Sequence, residues 1–151
     1  MTETPQAPRL KTFELADFKV ERWDDLSLAI ALRDELEQYD LAISYNGARF
    51  DVPFLNTRLA EYGEQGLVLL RHKDLLYTMR GKFRLGSNRL ARVTQFFFGQ
   101  TQKTAIDPKT WRRAICGRRK DYDYIIDHCK LDVIELARVW DRVRTVAGAL
   151  R

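Results

Sequence analysis

Ser44-Tyr45-Asn46-Gly47-Ala48-Arg49-Phe50-Asp51-Val52-Pro53-Phe54-Leu55 is the segment that sets the architecture of this chain. Just before its turn, Leu41, Ile43 and Tyr45 alternate with Ala42 and Ser44, the period of a short buried strand. Asn46-Gly47 is a turn signal. Beyond it the spacing predicts a helix from Asp51 to Tyr62, with Val52, Phe54, Leu55 and Leu59 turned inward and Gly63 ending it. Pro53 suits the first turn, where its missing N–H has no helical partner to lose. Strand, turn and helix in succession deliver Asp51 to a strand-to-helix junction, where a carboxylate can meet a metal or a substrate. The same position also lets an aspartate do no more than cap its helix.

The flanking segments extend an α/β pattern. Residues 1–9, with Pro5 and Pro8, read as a flexible tail, and 10–151 as a single domain. Leu10 to Val20, with Phe13, Leu15 and Phe18 among polar residues, is predicted as a strand or two of imperfect period. Asp24 or Asp25 can cap a helix in which Leu26, Ile30, Leu32, Leu36 and Tyr39 recur at near-helical spacing. Leu67 to Leu70 is predicted as a strand and Asp74 to Met79 as the opening of a short helix. Ser87 is expected to cap a helix carrying Leu90, Val93, Phe96 and Phe97 and stopping at Gly99. After a polar loop, Thr110 to Cys116 forms a short helix and Tyr124 to Val146 a long one.

Composition narrows the partners. The 151 residues carry a net charge of +5, which favours a polyanion through counterion release. Arg80, Lys82, Arg84, Arg89 and Arg92 form one basic cluster, and Arg112, Arg113, Arg118, Arg119 and Lys120 another. Either could line a phosphate track or be a solvated face. No apolar run approaches the roughly 20 residues of a membrane helix. The N-terminus has no basic, apolar leader, and Cys116 and Cys129 are too few for a disulfide framework, so a cytoplasmic setting with no membrane partner is expected.

A second constellation lies in the long helix, Tyr124-Ile125-Ile126-Asp127-His128-Cys129-Lys130-Leu131-Asp132-Val133. His128 and Asp132 are one turn apart, stacked at about 6 Å along the axis. Ile126, Cys129, Val133 and Leu136 form another stripe, which reads as the core face and leaves the pair on a face that packing does not require. Taken alone, the pair is also what an ordinary surface helix would show.

Together, N-G-x-x-F-D-x-P-F-L at Asn46–Leu55 and H-C-x-x-D-V at His128–Val133 resemble the second and third motifs of the DnaQ-like, DEDD 3′–5′ exonucleases. The likeness is greatest to the branch shared by the proofreading domain of family B DNA polymerases and stand-alone phage and bacterial exonucleases. Asp74-Leu75-Leu76, Ser87-Asn88-Arg89-Leu90, Lys103-Thr104 and Trp111 resemble intervening elements of that group. The resemblance implies a ribonuclease H-like mixed sheet flanked by helices and hydrolysis of DNA phosphodiesters with two Mg²⁺ or Mn²⁺ ions. By motif position Asp51 and Asp132 are the implied metal ligands. His128, four residues before Asp132 where the tyrosine branch has its tyrosine, is the implied water-activating group. Asn46, Arg49, Phe50, Arg89 and Lys103 are the implied substrate contacts. Single-stranded DNA or DNA 3′ ends are the implied substrate, with RNA as the alternative.

The group's first motif, D-x-E on an opening strand, does not occur in the first forty residues; Glu14 and Asp17 have the wrong order and spacing. The sheet is therefore expected to lack its opening strands. The missing carboxylates would then come from a partner chain, or the sequence is a truncated product of a longer gene; self-association is another way to complete the sheet, and the chain alone would cleave little. The contrasting expectation is a catalytically inactive nucleic-acid-binding or assembly subunit.

Overall fold

Ala42–Ser44 (β1) and His72–Asp74 (β2) pair in parallel, with Ala42 opposite His72 and Ser44 opposite Asp74. They are the two strands of a computed structural model that describes residues 9–15, 24–102 and 104–148. A parallel pair needs a crossover, and the helix Asp51–Glu61 (α2) supplies it. The α/β character is thus present in a small sheet. The contacts divide the chain into two compact units, Lys11–Arg84 and the residues from Leu85 onward with Arg9 and Leu10.

In the first unit Leu26–Leu36 (α1) packs on α2, and Leu75–Lys82 (α3) follows β2 directly. Leu59, Leu75 and Met79 are fully buried, joined by Ala29, Leu67 and Leu76. Asp25 is the N-cap residue of α1 but makes no side-chain cap; Asp24 accepts from Leu26 N at 3.0 Å instead. The Asp25 carboxylate is engaged by Arg58 of α2 through Nε (2.8 Å) and Nη2 (2.7 Å), which ties the two helices together and holds its pKa below the usual carboxylate value.

Several expectations are corrected here. Leu67 to Leu70 is not a strand. Leu67 N donates to Asn56 Oδ1 (2.8 Å) and Val68 N to Glu37 Oε1 (2.9 Å), so side chains take the N–H groups a ladder would have used. The second strand forms five residues later, at His72. Residues 9–15 form no strand, and 16–23, with Asp17, lie outside the described residues. Phe54 faces out, and α1 stops at Leu36, leaving Tyr39 exposed with its hydroxyl donating to Glu35.

The second unit is helical: Leu90–Phe98 (α4), Pro108–Ile115 (α5) and the long Arg119–Val143 (α6), on which both others pack. The N-cap of α4 is Arg89, not Ser87, whose hydroxyl accepts from Arg89 N at 3.4 Å outside the helix. Gly99, at φ +74°, ends α4 in the left-handed conformation glycine tolerates. Asp107 caps α5 by accepting from Thr110 N at 3.0 Å, and Pro108 follows in the first turn.

The start and the inner face of α6 both differ from expectation. The helix begins at Arg119 because Asp121 lies within its first turn, buried and held by Arg113 of α5 (2.7 and 2.9 Å) and by Arg118. Its buried stripe is Asp121, Ile125, Glu135, Val139 and Val143, while Val133 and Cys129 are exposed. His128 and Asp132 fall in register with that stripe, so they are not on a face that packing leaves free. Glu135 is 0% exposed and accepts from Thr101 Oγ1 (2.7 Å) and Gln102 N (2.8 Å). A buried carboxylate is tolerated only when so partnered.

Asp25 and Asp121 both titrate below their usual 3.8 because guanidinium partners favour the charged form. A depressed folded pKa contributes stability above the unfolded pKa, and that stability is lost as pH falls through the folded value. Thermal unfolding is therefore expected to show Tm falling below pH 4, with Asp25→Asn lowering Tm more at pH 7 than at pH 2.5. An equal loss at both pH values would contradict the assignment of that contribution to the Asp25–Arg58 pair.

Candidate active site

The turn between β1 and α2 is built around Asn46 and Gly47. Asn46 has φ +67°, the left-handed region that asparagine enters more readily than most residues. Gly47 is buried, and a Cβ there would lie 2.6 Å from Ser44 Cβ and 2.7 Å from Ser44 Oγ, so no other residue fits without displacement. Phe50 N donates to Asn46 O (3.1 Å) and Val52 N to Gly47 O (2.9 Å), carrying the chain from turn into helix.

What fixes this turn is Asp74, at the end of β2. It is buried, and its carboxylate accepts from Asn46 N (2.8 Å), Ala48 N (3.0 Å) and Leu76 N (3.0 Å). One side chain thus caps α3 and clamps the loop that leads to Asp51. Sequence reasoning read Asp74 only as the opening of a helix. Its signal was an aspartate placed between an extended run and that helix. Tyr45 beside it has its phenol pushed up to about 12 by burial and by the Asp74 charge, with Arg80 opposing.

Asp51 is the first residue of α2; the N-cap is Phe50, and the cap makes no side-chain hydrogen bond. Among the described residues the Asp51 carboxylate enters no hydrogen bond or ion pair, so the capping role is not the one it fills. It is exposed, and its Oδ2 lies 3.2 Å from where a Gly47 Cβ would stand. Asp51 also lines a cleft of about 340 Å³ between α1 and α2. Leu28, Leu32, Leu36, Val52 and Leu55 make that cleft apolar, and Phe50 and Phe54 line it while 66% and 62% exposed. Asn46 is half-buried and Arg49 exposed, both in this turn.

In the second unit α6 brings His128 and Asp132 together, with Nε2 3.5 Å from Asp132 Oδ2; their side chains are 11% and 30% exposed. The other ring nitrogen, Nδ1, lies 2.8 Å from Thr104 Oγ1. Thr104 is held in turn, since Tyr124 Oη donates to Ala105 O at 3.0 Å. Tyr124, which its place on the helix suggests for core packing, is instead 42% exposed and secures the loop behind the histidine. Arg89 is exposed at the start of α4, and Lys103 lies outside the described residues.

The family model of the RNase H superfamily matches residues 9–144, and the chain belongs to that superfamily. Neither the curated proteins nor the solved structures give a match. Membership points to a nuclease-type function and a nucleic-acid substrate. Among the described residues no helix is long and apolar enough to cross a membrane.

Nucleases of this superfamily generally use divalent metals. Among the described residues no three His, Cys, Asp or Glu side chains gather into a metal-holding group. Mg²⁺ keeps several waters and commonly takes one or two carboxylates together with substrate phosphates. An exposed, uncommitted carboxylate such as Asp51 fits that role, and so does Asp132 beside an imidazole. A pair of metals needs more oxygen donors than these two supply.

Asp74→Ala should destabilise the chain by about 3 kcal/mol, the cost of losing a buried charged acceptor with several donors. Urea denaturation measures this, and amide exchange at Asn46 and Ala48 should accelerate together. Asp74→Asn keeps one acceptor oxygen and should fall between the two. Unchanged exchange at Ala48 in Asp74→Ala would show that the turn does not depend on this carboxylate.

Proposed function

We propose that this chain is a 3′–5′ exonuclease of the DnaQ-like, DEDD group acting on DNA, or the part of such an enzyme that carries its second and third motifs. The observation that carries the reading is Asp51: a carboxylate at a strand-to-helix junction, spent on no cap or ion pair among the described residues, beside an apolar cleft with two exposed phenylalanines. Superfamily membership over residues 9–144 and the third-motif spacing of His128 and Asp132 support it.

In this reading Asp51 and Asp132 are metal ligands for Mg²⁺ or Mn²⁺ in a two-metal mechanism. Such an ion supplies charge stabilisation at the phosphate and lowers the pKa of a bound water. His128 acts on the nucleophilic water. In the tautomer whose Nδ1–H donates to Thr104 Oγ1, Nε2 is the acceptor left to orient or take a proton. The apolar cleft with Phe50 and Phe54 receives a base face from an unpaired 3′ end, while Asn46, Arg49, Arg89 and Lys103 contact the backbone. Single strands and 3′ ends of DNA are the substrate, RNA the alternative. The D-x-E carboxylates come from a partner chain that also completes the mixed sheet.

A second reading, a catalytically inactive nucleic-acid-binding or assembly subunit, is favoured by the absence of a three-ligand cluster among the described residues. A 5′-labelled single strand incubated with Mn²⁺ separates the two. With D-x-E-bearing fragments added, the exonuclease reading expects a ladder shortening from the 3′ end, abolished in Asp51→Ala/Asp132→Ala and slowed about a hundredfold in His128→Ala. If the chain cleaves nothing, even at concentrations that drive self-association or with D-x-E-bearing fragments added, while still binding DNA without divalent metal, the binding subunit is the correct reading.

A further inference from the structure

Helix α5 packs inside out. It buries Thr110, keeps Ala114 half-buried, and turns its two largest apolar residues outward: Trp111 is 47% exposed and Ile115 63%. They stand at i and i+4, on one face of the helix. Scattered apolar residues on a surface need no explanation, but these sit inside a run of one charge. From Pro108 to Lys120 the chain carries Lys109, Arg112, Arg113, Arg118, Arg119 and Lys120 and no acidic residue.

The nearby acids do not neutralise that surface. Asp107 caps α5, and the buried Asp121 is held by Arg113 and Arg118. Asp123 pairs with Arg119 at 2.8 Å. Lys109, Arg112 and Lys120 are exposed on the same stretch as Trp111. A flat aromatic among cations fits neither an apolar protein groove nor a basic tail alone. It fits a strand whose bases are open to stacking and whose phosphates are within reach of Lys and Arg.

We propose that the exposed face of α5, with the turn into α6, is a binding track for single-stranded nucleic acid, on which Trp111 stacks a base and Lys109, Arg112 and Lys120 meet phosphates. The proposal rests on the nucleic-acid substrate reading above and adds a surface outside the exonuclease motifs. Because a duplex hides its base faces, the track discriminates single strands from duplexes.

The test is fluorescence anisotropy of a labelled oligothymidine and of a duplex of equal length, both in EDTA so that cleavage plays no part. Trp111→Ala should weaken single-strand binding about tenfold, Trp111→Phe should restore most of it, and duplex binding should not change. Lys109→Ala/Arg112→Ala should reduce the log–log salt slope by about 1.4, near 0.7 per phosphate contact. On the unmutated chain, an oligonucleotide carrying 5-iodouracil should photo-crosslink to the peptide containing Trp111, which keeps the test independent of how any variant folds. Unchanged single-strand affinity in Trp111→Ala, or crosslinks that map only elsewhere, would overturn the proposal. Cleavage lost in Asp51→Ala/Asp132→Ala while Trp111→Ala binds normally removes the track and leaves the exonuclease. Trp111-dependent binding without any cleavage does the reverse.

Discussion

The Asp74 carboxylate is the constraint on which the first unit depends. Two short parallel strands offer few ladder bonds, and they cannot by themselves define the loop at their carboxyl end. A buried carboxylate with three backbone N–H donors can, because each charge-assisted bond is stronger than a neutral one and leaving any of them unmade is costly. The result is a rigid turn at Asn46–Ala48. The left-handed φ of Asn46 and the crowded Gly47 are held in place there by a residue from the neighbouring strand.

The second unit uses the same device along a helix. The inner face of α6 is only partly apolar. Asp121 grips α5 through Arg113, His128 meets Thr104, and Glu135 binds Thr101 and the backbone at Gln102. Tyr124 adds the carbonyl of Ala105. Together these contacts fasten the described residues between α4 and α5 to α6. Polar networks of this kind are stable only when fully partnered, and they then specify one arrangement sharply.

This explains which parts of the molecule were legible in the sequence. The strand at Ala42–Ser44, the helix from Asp51 and the end of α4 at Gly99 follow from alternation, from Asn-Gly and from glycine, which are local signals. The second strand was misplaced because Asn56 and Glu37, remote in sequence, take the N–H groups of Leu67 and Val68. The core stripe of α6 was misassigned because periodicity was sought among apolar residues, while the buried positions include Asp121 and Glu135. For the candidate site, the pairing of His128 with Asp132 follows from helical spacing. The roles of Asp74, Thr104 and Tyr124 do not, since each acts on a segment distant along the chain.

A carboxylate at the first position of a helix gains from the macrodipole by about 0.3–1 kcal/mol, and that gain alone could account for an aspartate at position 51. The geometry asks for more than a dipole would. Glutamate or serine would serve a dipole or a cap as well, and neither requires a glycine four residues earlier. Here Gly47 lets the Ser44 side chain and the Asp51 carboxylate approach the same point, and Asp74 locks the backbone that presents them. Asp25, Asp74, Asp121 and Glu135 are all consumed by internal partners, whereas Asp51 is built into a rigid frame and consumed by none among the described residues. A preorganised, uncommitted charge is what a site for an external ligand requires. Its cost to folding is small because the residue stays exposed to water.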